Sequence, residues 1–189
     1  MITGIGHVAF RVTDLERALD FYCDKLGFRE AFRLDREGEP SPWIVYLQIG
    51  PGQFIELFPG ARETGPQPGA AAGYSHVCLL VDDMDAALRQ LAARGLEIRG
   101  SPVQGLDHNW QYWLTDPDGN RIELMQIMPD APQAAADARW RVEQQCCSKL
   151  SGVAGIISAT VGASRQEWSG DRRQAAGDRT EERAFCNEQ

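Results

Sequence analysis

Basic charge is what this chain has too little of. Against 27 acidic side chains stand only 19 lysines and arginines, a formal net charge of −8 over 189 residues. A nucleic-acid surface needs a basic stripe to displace counterions from phosphate, so that class of partner is excluded. Long apolar runs are missing too. Nothing approaches the roughly 20 apolar residues that span a bilayer, and the apolar stretch at 151–164 is too short for it. The opening MITGIGHVAFRV lacks the charged start and long apolar core of a secretory signal. The cysteines (Cys23, Cys78, Cys146, Cys147, Cys186) are odd in number and have no framework spacing. They read as reduced thiols of a cytoplasmic protein rather than as a disulfide scaffold. Histidine is scarce, with three in the chain, and two of these fall at equivalent points of an internal repeat.

His7 opens HVAFRV and His76 opens HVCLLV; Glu56 sits in PGQFIEL and Glu123 in DGNRIEL. Between them TDLERAL (13–19) matches DDMDAAL (82–88), and Gly27-Phe28 matches Gly95-Leu96. The offset drifts only from 69 residues at the histidines to 67 at the glutamates, which describes a duplicated unit with small loop changes. Two imidazoles and two carboxylates at matching places in two halves are the donor set of a divalent metal ion.

Each copy reads β-α-β-β-β. Residues 5–12 alternate and are rich in β-formers, so they predict a strand. Thr13-Asp14-Leu15-Glu16 has capping-box spacing, and Leu15, Ala18, Leu19, Tyr22 and Leu26 mark one helical face that stops at Gly27. Strands follow at 28–34, 43–49 and 53–58. The second copy repeats the order: strand 75–81, helix 83–94, then strands near 96–101, 109–114 and 120–127, the last preceded by the turn Pro117-Asp118-Gly119-Asn120. The fold class is therefore α+β, two paired βαβββ modules forming a curled mixed sheet around a cleft. The modules are 1–59 and 74–129, joined by a Pro/Gly/Ala-rich linker at 60–73 into a domain of 1–129. The tail, 130–189, is expected to be partly helical (134–147) and otherwise disordered.

The period of two then sorts side chains by face. Val8, Phe10, Val12, Ile55 and Leu57 point at the helix, leaving His7, Ala9, Arg11, Phe54, Glu56 and Phe58 on the other side. Val77, Leu79, Val81, Ile122 and Leu124 do the same in the second copy, leaving His76, Cys78, Leu80, Arg121, Glu123 and Met125 opposite. All four candidate metal ligands land on the same kind of face. That convergence is the main reason to read His7, Glu56, His76 and Glu123 as one site rather than as scattered surface groups.

The segments HVAFRVTDLERALDFYCDKLGF, FIELF, YSHVCLLVDD and DPDGNRIELMQ resemble the vicinal-oxygen-chelate superfamily of glyoxalases, bleomycin-resistance proteins and extradiol dioxygenases. Within it they are most similar to bacterial glyoxalase I, a lactoylglutathione lyase. The resemblance covers residues 1–128. It implies one divalent ion per site (Ni, Co, Mn, Fe or Zn) on His7, Glu56, His76 and Glu123. It also implies a catalytic base at Glu56 or Glu123 and proton transfer between adjacent carbons of a glutathione hemithioacetal.

Arg11, four residues after His7, matches an arginine that binds an anionic end of glutathione. Two other glutathione contacts are not met: an expected asparagine is Gly60, and an expected lysine is Gln104. The resemblance further implies a homodimer, with a site completed within one chain or between two. His108, the third histidine, reads either as a substrate-side acid–base group near the ion or as a solvated loop residue. Two other functions of the same superfamily call for different ligand sets. An iron-dependent extradiol dioxygenase lacks the ligand at Glu56, and a metal-free binding or resistance protein lacks the ligand set. Racemisation or epimerisation beside a thioester shares the proton-transfer chemistry and stays open.

Overall fold

A computed structural model describes residues 2–62 and 73–144. The centre of the linker, the apolar stretch 151–164 and three cysteines (Cys146, Cys147, Cys186) lie outside the described residues. One compact unit spans Met1–Gln133. Of the chain beyond it, residues 134–144 are helical, within the stretch expected to be so.

Two four-stranded mixed sheets build the first unit, α+β as the repeat predicts. In the first sheet, β1 (His7–Val12) runs parallel to β4 (Gln53–Pro59), followed by antiparallel β3 (Ile44–Gly50) and β2 (Arg29–Leu34). In the second, β5 (Val77–Leu80) runs parallel to β8 (Arg121–Gln126), followed by antiparallel β7 (Trp110–Thr115) and β6 (Val103–Gln104). The order β1-β4-β3-β2 recurs as β5-β8-β7-β6. One edge strand of each sheet thus begins at its histidine (β1) or directly after it (β5).

Three local expectations are corrected. The first cap is Asp14, not Thr13: its carboxylate accepts from the backbone N–H of Arg17 at 3.0 Å. The first helix is regular only over α1 (Leu15–Leu19) and widens into a π-helical stretch, Asp20–Lys25, closed by Leu26 N–H on the Phe21 carbonyl at 2.9 Å. The strand expected at 96–101 is absent. Leu96 and Ile98 pack on the core as irregular chain, and the strand forms later, at β6. Its place is taken by Tyr112, whose hydroxyl accepts from Arg99 N–H (2.8 Å) and donates to the Arg99 carbonyl (3.0 Å). The second helix, α2 (Met84–Ala93), starts as expected on Asp83, which accepts from Ala86 N–H at 2.7 Å.

The face assignment survives intact. Phe10, Val12, Ile55, Leu57, Ile122 and Leu124 are buried in one core with Ala18, Phe21 and Tyr22 from the first helix and Met84, Leu88 and Leu91 from α2. The two modules share a buried polar joint. Tyr22, fully buried, donates its hydroxyl to Asp116 at 2.8 Å, and Asp116 also accepts from Asp118 N–H, Asn120 N–H and the Asn120 amide. Burial and the Asp116 carboxylate push the Tyr22 phenol far up, so it stays a donor at any working pH. Asp118 in turn accepts from the backbone and hydroxyl of Thr13 in the first module. Asp116→Ala strands all four donors in the interior and is expected to cost about 3 kcal/mol of stability. Urea unfolding that shows a loss under about 1 kcal/mol would remove this joint from the fold's energetics.

Candidate metal centre

Each module presents its histidine and its glutamate as a pair on the open face of its sheet. His7 precedes Ala9, which is the parallel partner of Glu56, so the imidazole and carboxylate lie diagonally across β1 and β4. His7 Nε2 is 3.4 Å from Glu56 Oε2. In the second module His76 Nε2 is 3.0 Å from Glu123 Oε2, with Cys78 as the strand partner of Glu123. Both glutamates are nearly enclosed, with side-chain exposures of 7% and 9%, while the histidines stay open at 51% and 30%. A nearly enclosed carboxylate beside a half-open imidazole is suited to share a cation with it, since both are ligands of divalent ions.

The four groups do not converge within one chain: among the described residues no three of His, Cys, Asp and Glu come close enough to hold an ion. The chain supplies two half-sets. The two histidines border one open cleft of about 810 Å³ along the unpaired edges of β1 and β5, with Phe54 and Cys78 also in its lining. The curled mixed sheet of the paired modules consists of two four-stranded sheets, with one free edge each facing that cleft.

Aromatic rings distinguish the halves. Tyr46 is the cross-strand partner of Glu56, and Trp113 that of Glu123. Tyr46 meets the His7 ring edge-on at 6.5 Å and stacks on Phe32 at 4.3 Å. Trp113 meets His76 edge-on at 4.9 Å. The Tyr46 hydroxyl interacts with the Glu56 carboxylate, which raises the phenol's pKa. Tyr46 escaped the sequence reading. Its signal was available in principle, since β3 pairs with β4 through the Pro51-Gly52 turn, but only the register puts Tyr46 opposite Glu56. The face of β7 is also settled: Tyr112 and Leu114 go to the core and Trp113 to the open side.

Cys78 has Ala9 as its counterpart in the first copy. Burial, and then the adjacent Glu123 carboxylate, push its thiol up to about 12. It is therefore protonated at neutral pH. Alkylation of Cys78 by iodoacetamide at pH 8, followed by peptide mass mapping, is expected to run roughly tenfold slower than that of free glutathione. A rate equal to glutathione's would show that Glu123 does not hold the proton on sulfur.

Arg11 stands exposed on the open face, its guanidinium 5.9 Å from the centre of the Phe58 ring. His108 is placed in a loop, away from the two histidine–glutamate pairs. It lies between β6 and β7 with a left-handed φ of 67°, exposed, and pairs through Nδ1 with Asp130 at 3.1 Å. Among the described residues it touches neither glutamate.

The chain belongs to the glyoxalase/bleomycin resistance protein/dioxygenase superfamily, whose model matches residues 4–124. Members are for the most part enzymes that act on small molecules, and they generally use a divalent metal. The chain is 29% identical to a 2-epi-5-epi-valiolone epimerase of Actinomyces sp over 151 residues, covering 68% of this chain and 81% of that protein. It is 31% identical to a lactoylglutathione lyase of Haemophilus influenzae over 127 residues, covering 65% and 91%. The solved structure of a glyoxalase family protein from Enterococcus faecalis matches with a TM-score of 0.54 at 25% identity, over 65% of this chain and 97% of that one. Among the described residues no helix is long and apolar enough to cross a membrane.

Proposed function

We propose that this protein is a metal-dependent lyase of the glyoxalase I type, working as a cytoplasmic homodimer on a two-oxygen substrate such as a hemithioacetal. The observation that carries the reading is the repeated half-site: a histidine nitrogen within 3.4 Å of a buried glutamate in one module and within 3.0 Å in the other. His7 and Glu56 would hold one side of a divalent ion, His76 and Glu123 the other, and the two halves of a site would come from two chains. The ion, when bound, supplies Lewis acidity that stabilises the negative charge left when a carbon loses its proton.

The rest of the chemistry belongs to the side chains. A carboxylate takes the proton from the hydroxyl-bearing carbon and returns it to the carbon next to it, turning hemithioacetal into 2-hydroxy thioester. Glu123 is the better candidate for that base. The neighbour of Glu56 is the Tyr46 hydroxyl, a firm hydrogen-bond donor, whereas that of Glu123 is the weakly donating Cys78 thiol. Arg11 holds an anionic end of the substrate.

Thioester absorbance followed with nickel, cobalt, manganese and zinc, first with the glutathione adduct of methylglyoxal and then with other thiols, tests the reading. Thioester formation that needs the ion is expected. Ferrous-dependent cleavage of catechol with no thioester would replace it by the dioxygenase, and tight binding of an aromatic ligand without turnover by the binding protein. Epimerisation beside a carbonyl is the second reading, favoured by the likeness to the Actinomyces epimerase and by the two unmet glutathione contacts.

Those contacts yield a prediction of their own. Gly60 has a left-handed φ of 87°, with nothing within 4 Å of an added Cβ. Asparagine tolerates that conformation better than other side chains. Gly60→Asn with Gln104→Lys is expected to fold normally and to lower KM for the glutathione adduct by roughly tenfold, the worth of one charge-assisted contact. An unchanged KM would point away from glutathione as the thiol.

A further inference from the structure

The open face of the second sheet carries a cation that the metal reading leaves unused. Arg121 lies two residues before Glu123 on β8, so the strand period places both on the same face. Its guanidinium sits 4.2 Å from the centre of the Trp113 ring, and that ring meets His76 edge-on at 4.9 Å. Trp113 is also the cross-strand partner of Glu123. One indole thus ties Arg121 to both members of the second half-site. Among the described residues Arg121 has no carboxylate partner, whereas Arg17, Arg33 and Arg99 each have one. The scaffold does not demand an arginine here: at the matching place, two residues before Glu56, the first copy has Phe54.

A guanidinium stacked on an aromatic face loses rotamer freedom but keeps its N–H edge free, ready to take a carboxylate through two parallel hydrogen bonds. In a chain with a net charge of −8 the overall field repels anions, so capture of one needs a fixed local cation. We infer that Arg121, held on Trp113, binds a carboxylate of the substrate and restricts the site to carboxylate-bearing compounds. The inference deepens the function proposed above and rests on it for the use of the site, though it is read out by binding rather than by turnover.

The test titrates the nickel-loaded full chain with S-methylglutathione and with its diethyl ester by calorimetry, comparing the native protein, Arg121→Gln and Arg121→Lys. The native chain is expected to prefer the diacid by at least roughly tenfold, the order of one charged hydrogen-bonded pair. Arg121→Gln loses the larger part of that preference, Arg11 keeping the rest, with ester binding unchanged, and Arg121→Lys recovers part of the loss, since charge returns without the planar fork. Where turnover is measured, KM for the diacid rises with kcat nearly constant. Arg121 is exposed, so the variants leave the core intact, and unchanged melting temperatures confirm this. Equal binding of diacid and diester by the native chain, or undiminished diacid binding by Arg121→Gln, overturns the inference. A native chain that prefers the diacid through Arg121 but forms no thioester would sink the lyase reading and leave this one standing.

Discussion

Glu123→Gln is expected to lower kcat for the thiol adduct by roughly a thousandfold, within the range lost when a positioned general base is removed. The amide keeps the shape and one oxygen donor of the carboxylate but cannot accept the proton. Glu56→Gln is expected to lose much less, because the contact with Tyr46 makes Glu56 an anchored group rather than a mobile one. Stopped-flow measurement of single turnovers, with metal content determined on the same samples, separates a lost base from a lost ion. Equal losses at the two positions, with equal metal content, would mean that either carboxylate serves as the base.

The second large effect is rescue by mixing. A chain carrying His7→Ala with Glu56→Ala keeps an intact second module, and one carrying His76→Ala with Glu123→Ala keeps an intact first module. Each alone is expected to bind almost no metal. If every site draws its halves from two chains, dissociating and reassociating an equal mixture makes half of the dimers mixed, each with one intact site. Metal content and activity then return to about a quarter of the native value, as symmetric pairing of two chains requires. Sites built within one chain would give no rescue, since every chain is damaged. Light scattering that finds a stable monomer with full metal affinity would also exclude the shared site.

Much of this was legible before any coordinates because strands and helices write their faces into their periods. The alternation in HVAFRV and FIELF put His7 and Glu56 opposite Phe10 and Leu57, and Phe10 and Leu57 enter the hydrophobic core while His7 and Glu56 pair outside it. The π-helical stretch at Asp20–Lys25 was not legible, because its hydrophobic spacing is also that of a regular helix. The strand expected at 96–101 was misplaced by apolar residues that do enter the core, though as irregular chain held by the Tyr112 hydroxyl. Thr13 looked like a helix cap from its spacing. Only the approach of Asp118, far away in sequence, shows what its hydroxyl bonds to.

The chain's own order of residues determined the duplicated βαβββ plan, the superfamily and the histidine and glutamate of each half, because repeats and strand periods are local and survive in one dimension. Tertiary structure alone decided the rest. Register brought Tyr46 to Glu56 and Trp113 to His76, left Arg121 stacked and, among the described residues, without a carboxylate partner, and drew His108 to Asp130 instead of to either glutamate. It also resolved the four candidate ligands into two pairs on separate sheets. These outcomes depend on pairing between strands and loops distant in sequence, and no local pattern encodes which partner lies across the ladder.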